Sequence, residues 1–89
     1  MRMEPLKALE IVEQTLQQRG YHTKRSVEEG DYVLEVSSFN KKARIRFHQQ
    51  KGELIELRLK YEGTAGLTIL KCEQYEKSLS CIEDLLNRF

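Results

Sequence analysis

Residues 21–61 read YHTKRSVEEGDYVLEVSSFNKKARIRFHQQKGELIELRLKY. The stretch alternates apolar and polar side chains through four short segments, separated by turn-forming residues. Tyr32, Leu34 and Val36 share one face, as do Ala43, Ile45 and Phe47, and as do Ile55, Leu57, Leu59 and Tyr61. A period of two, sustained three times, is the signature of half-buried strands. Strands are expected at Tyr21–Glu28, Tyr32–Phe39, Lys42–Gln49 and Glu53–Tyr61.

Helical patterns flank this block. Leu6, Leu9, Val12 and Leu16 recur at three- and four-residue spacing, and Ile11 widens the stripe. Pro5 suits a first helical turn, and Gly20 suits the position just past a helix end. A helix from Pro5 to Arg19 follows. Tyr75, Leu79, Ile82, Leu86 and Phe89 form a second stripe, which Cys72 and Ile69 extend backwards. This predicts a second helix starting near Cys72–Glu73, with residues 67–70 as an alternative short fifth strand after the loop Gly63-Thr64-Ala65-Gly66. The expected fold is α+β in the order α-β-β-β-β-α. A four-stranded antiparallel meander carries two helices packed on one face. At 89 residues, the chain is expected to form one domain spanning 1–89.

Apolar faces must pair with apolar faces across a sheet, so the turns set a register. A Glu29-Gly30 turn pairs Val27 with Tyr32 and Thr23 with Val36. A two-residue turn at Asn40-Lys41 pairs Val36 with Ile45 and Leu34 with Phe47. A three-residue loop at Gln50-Lys51-Gly52 pairs Phe47 with Ile55, Ile45 with Leu57 and Ala43 with Leu59. On the opposite face, this register lines up Lys24, Glu35, Arg46 and Glu56 as a self-neutralising row. It sets Arg44 opposite Arg58 and Lys42 opposite Lys60, with Phe39 across from Lys42 and Lys41 at the turn. Phe39, Lys41, Lys42, Arg44, Arg58 and Lys60 therefore form the candidate binding site, a basic corner around one aromatic ring.

Composition narrows the function classes. A formal net charge of +1 leaves nucleic-acid binding dependent on uneven charge placement. No apolar run is long enough to cross a membrane as a helix, and no signal-peptide core follows Met1, so a cytoplasmic protein without membrane partners is expected. Cys72 and Cys81, if both on one helix, would lie ~180° apart and could not bond to each other. They are expected as packed, reduced thiols. His22 and His48 lack a closed ligand set for a metal, and no cofactor is implied. The glycine-containing loop lacks the Lys-Ser/Thr of a phosphate-binding loop. No nucleophile–base pair stands out, so an enzyme is not expected.

Helix, antiparallel strands, helix is also the order of the double-stranded RNA-binding domain and of the RNA-binding subunits of the signal recognition particle. The second helix of the former opens on a lysine cluster followed by alanines. The corresponding segment here is Leu67-Thr68-Ile69-Leu70-Lys71-Cys72-Glu73, with one lysine. Four strands are also one too many, so the shared order carries no membership. Two functional expectations follow. The first is a small non-enzymatic interaction module that self-associates as a homodimer through the long edge of the fourth strand or through the sheet face. The alternative is an RNA- or single-stranded-DNA-binding domain, in which the basic corner holds phosphates and Phe39 stacks a base.

Overall fold

A computed structural model describes residues 3–89. Helix α1 (Pro5–Gln18) is followed by strands β1 (His22–Glu28), β2 (Asp31–Ser37), β3 (Lys42–Gln50), β4 (Glu53–Tyr61) and β5 (Thr68–Lys71). A 3-10 turn (Cys72–Gln74) then leads to helix α2 (Ser78–Leu86). The strands form one antiparallel meander in the order β1-β2-β3-β4-β5. This is the expected α+β fold, with the alternative fifth strand present.

Helix α1 begins with Pro at its first turn and buries Ala8, Leu9, Val12 and Leu16. Its end is closed by two backbone bonds, Gly20 N–H to Gln17 O (3.0 Å) and Tyr21 N–H to Leu16 O (2.9 Å). This paired arrangement satisfies carbonyls that the helix leaves open. The chain thus turns sharply into β1, and Tyr21 packs against the core. At the other end, Leu54 N–H donates to Met3 O (3.0 Å), tying the segment before α1 to β4.

Two turns decide the register. Glu29-Gly30 and Lys51-Gly52 both have positive φ at both residues (52° and 83°; 53° and 77°). That is the geometry of a two-residue hairpin turn whose twist matches the strands, and glycine makes its second position cheap. The β1–β2 pairs are as expected, Val27 with Tyr32 and Thr23 with Val36. The Asn40-Lys41 sequence has no glycine at the second position, and neither residue adopts positive φ. The chain uses a four-residue connection instead, closed by Ser38 N–H to Lys41 O (2.7 Å). Leu34 therefore faces Ile45, and Val36 faces Ala43.

Between β3 and β4 the loop is two residues long rather than three, with Gln50 opposite Glu53. A bulge between His48 and Gln49 leaves Ile55 without a partner and puts Leu54 in the core. Phe47 then faces Leu57, Ile45 faces Leu59 and Ala43 faces Tyr61. Both expected registers were two residues off. A slip of two keeps every side chain on its own face, so apolar matching alone does not detect it.

One sheet face packs under both helices. Leu34, Ile45, Phe47, Leu57, Ile82 and Leu85 are fully buried there. Arg19 Nη1 donates to Leu86 O (2.8 Å), linking the end of α1 to the end of α2. Phe89 lies edge-on to Tyr21, with ring centroids 5.6 Å apart.

The cysteines correct the expectation of free thiols. Cys72 and Cys81 form a disulfide, with Cα atoms 5.2 Å apart. The two residues do not share a helix. Tyr75 and Lys77 are extended (ψ 144° and 137°), so α2 starts only at Ser78. The bond ties the exit from β5 to the first turns of α2. Closing so short a loop contributes about 2–3 kcal/mol by the chain-entropy estimate. Cys81→Ala is expected to lower stability by about that amount in chemical denaturation.

A candidate anion-binding groove on the open sheet face

The face away from the helices carries the charged side chains, and the observed register sorts them into rows. Lys24 faces Glu35, Glu35 faces Arg44, and Arg44 faces Lys60. The next row contains Ser26, Val33, Arg46, Arg58 and Ile69. His48 faces Glu56, and Glu56 faces Lys71. The expected neutral row Lys24–Glu35–Arg46–Glu56 is thus half right: Lys24 and Glu35 pair, but Arg44 and Lys60 complete the row, leaving it with a surplus of positive charge. The physical reason is the two-residue slip at each of the next two turns.

The two ends of this face differ. Near the Glu29-Gly30 turn, the charges are tied to one another. Asp31 is 4% exposed. Its carboxylate accepts from Arg46 Nε at 2.8 Å and from Gln49 N–H at 3.2 Å, and it lies 3.0 Å from His48 Nδ1. Burial pushes the Asp31 carboxyl up, but the hydrogen bonds from His48, Arg46 and Gln49 outweigh it and hold the group below its ordinary value of 3.8. Arg46 also reaches Glu28 O (3.2 Å) and the Glu29 carboxylate (3.5 Å). Arg44 forms an ion pair with Glu28, and Arg58 one with Glu56 at 2.6 Å.

Toward the Ser38–Lys41 connection, the lysines are not so tied. Lys24, Lys42 and Lys60 have no ion pair among the described residues. They line an open groove of about 720 Å³ together with Arg44, His22, Ser37 and Thr64. Glu35 and Glu62 are its carboxylates, and Arg44 is already paired with Glu28, so three unpaired lysines stand against two carboxylates. Strand β5 covers β4 only from Glu56 to Leu59, which leaves Lys60 and Tyr61 to form the groove wall with residues 62–64. A smaller recess of about 330 Å³ adjoins it, lined by Phe39, Lys41 and Asn40, and shares Lys42, Glu62 and Gly63 with the groove. The Phe39 side chain is fully exposed.

The six expected site residues are therefore divided. Lys42, Arg44 and Lys60 meet in the groove, and Phe39 stands at the adjoining recess. Arg58 sits one row away, occupied by Glu56. Lys41 is drawn to the rings of Tyr61 and Phe89, with Nζ 5.2 and 5.9 Å from their centroids. Lys24 and His22 belong to the groove but fall outside the sequence-derived set: the slipped register put Lys24 in the neutral row with Arg46 and Glu56, and set His22 in the row of Arg44 and Arg58 rather than in that of Lys42. The Asp31–Arg46–His48 cluster was missed for the same reason.

Among the described residues, no group of three or more His, Cys, Asp or Glu side chains is placed to hold a metal ion. No described helix is long and apolar enough to cross a membrane. The chain matches no protein-family model, no curated protein and no solved structure.

Proposed function

We propose that the open sheet face is a binding surface for a phosphate-bearing polymer, with nucleic acid as its chemical class. The observation that carries this reading is the set of unpaired lysines, Lys24, Lys42 and Lys60, gathered around one groove with Arg44. Exposed lysines that already had carboxylate partners would have little left to offer a ligand, whereas these are free to displace counterions from phosphates. The groove is open rather than enclosed, which suits a chain that lies across the strands. The net charge of +1 restricts the attraction to this patch and makes the binding sensitive to ionic strength.

An amide-shift NMR titration with mixed RNA and single-stranded DNA oligomers tests it. Shifts are expected at His22–Lys24, Lys42–Arg44 and Lys60–Thr64. Absence of shifts at low salt, or shifts confined to the helices, would overturn the reading.

Self-association is a second reading, and its footing has moved. The long β4 edge that motivated it is covered by β5 from Glu56 to Leu59. The outer edge now belongs to β5, where Ile69 is about half exposed, as is Leu67 just before the strand. Unpaired strand edges with apolar side chains favour strand pairing between copies. Light scattering across a micromolar to near-millimolar series tests this. A dimer mass that Ile69→Lys abolishes supports pairing at β5, and a constant monomer mass excludes it.

A further inference from the structure

The groove and the Phe39 recess are contiguous. Lys42, Glu62 and Gly63 line both, so a ligand crossing the groove toward the Ser38–Lys41 connection passes directly into the recess. The two differ in chemistry. The groove presents lysine and arginine, with the Tyr61 ring and the His22 imidazole in its lining, whereas the recess presents a phenylalanine ring whose side chain is fully exposed. Burial of a Phe side chain is the ordinary outcome of folding, and Phe47 follows it at zero exposure. Phe39 is kept outside by a closed turn, since Ser38 N–H bonds to Lys41 O across it. Lys41, the cation next along that turn, is held over Tyr61 and Phe89.

Resting on the groove reading above, we infer that this surface selects single-stranded nucleic acid. Lys42 and Lys60 hold consecutive phosphates, and Phe39 stacks one unpaired base in the adjoining recess. A base inside a duplex already has both faces covered by its neighbours, so it offers Phe39 nothing. A base in a single strand can swing out and present a free face. The arrangement divides the work: the lysines supply affinity that any phosphate chain shares, and the ring supplies the preference for an unstacked base. The single ring specifies one stacked base and no sequence, because every base has a face to offer.

Fluorescence anisotropy at low ionic strength with three labelled probes tests the inference. The probes are a single-stranded oligoribonucleotide, a blunt duplex of the same length, and an abasic strand with the same number of phosphates. The wild-type chain should bind the single strand tightest. Phe39→Ala should weaken single-strand binding on the order of tenfold, towards the abasic level, and leave the other two probes unchanged. Phe39→Trp should restore or exceed wild-type binding of the single strand. Lys42→Glu with Lys60→Glu should weaken all three probes. If Phe39→Ala changes none of the probes, or all three equally, the base-stacking role is overturned while the groove reading stands. If the wild-type chain binds none of them, both fail. If Phe39→Ala instead converts a dimer into a monomer by light scattering with no change in probe binding, the ring serves protein contact and the inference is wrong.

Discussion

The two ends of the open sheet face are made of the same strands and of similar residue types, yet they are built differently. At the Glu29-Gly30 end, one buried carboxylate gathers Arg46, His48 and the Gln49 N–H, and Glu28 and Glu56 occupy the remaining arginines. At the Ser38–Lys41 end, three lysines border a groove without ion pairs among the described residues. The first end resolves its charges internally and fixes a turn to a neighbouring strand. The second leaves them available. The count of charges is thus a poor guide to a binding surface. Which charges already have partners is a better one, and that depends on register.

The largest expected effect comes from breaking the closed end. Asp31→Ala leaves three donors facing an empty site and should lower stability by about 2–3 kcal/mol in chemical denaturation, without impairing nucleic-acid binding at the groove beyond that loss of fold. A smaller effect follows from pH. The Asp31 carboxyl is held below its ordinary value of 3.8, so the ionised form is the one the fold favours. Its contribution to stability is fully present above the unfolded-state value and is lost as pH falls through the lower folded-state value. Thermal melts from neutral pH down through the range below about 4 should show a steeper loss for the wild type than for Asp31→Asn. The smallest effect on stability belongs to the open end. Lys42→Ala with Lys60→Ala should leave the denaturation midpoint unchanged, because exposed charges without partners hold nothing together. The same double substitution should weaken binding, which makes the two ends separable in a single pair of variants.

The fold was legible where local chemistry and periodicity agreed. Pro5, the Leu9–Val12–Leu16 stripe and Gly20 marked α1, and Glu29-Gly30 set the β1–β2 register to the residue. Legibility stopped where two answers shared the same faces. Asn40-Lys41 lacks the glycine that a two-residue turn needs at its second position, and the bulge at His48–Gln49 adds a residue to β4 that alternation cannot reveal. Each hairpin slipped by two, the second through one residue lost from the loop and one added by the bulge; the core stayed as expected except that Leu54 took the place of Ile55, and the outer rows were renumbered. The basic corner survived in part, because Lys42, Arg44 and Lys60 lie on the groove side under either register. Arg58 was lost to Glu56, two residues earlier on the same strand face, and Lys41 to the rings of Tyr61 and Phe89, which reach it only through packing far along the chain. The disulfide was hidden by a helix stripe that continues through Cys72, although the backbone straightens at Tyr75 and Lys77 before α2 begins. A structural disulfide persists most readily in oxidising surroundings, which sets the cysteine pairing against the expected cytoplasmic location. Alkylation of the thiols in intact cells before lysis decides between them. Two unmodified cysteines that react only after reduction support the bond.

The central question is whether the unpaired lysines act on phosphates. The most direct measurement is the dissociation constant for a single-stranded oligonucleotide as a function of salt. With three such lysines engaged, log K should fall linearly with log salt with a slope of roughly −2, and Lys42→Ala should reduce the slope by roughly 0.7. Binding that does not change with salt, or a slope that Lys42→Ala leaves intact, would contradict it.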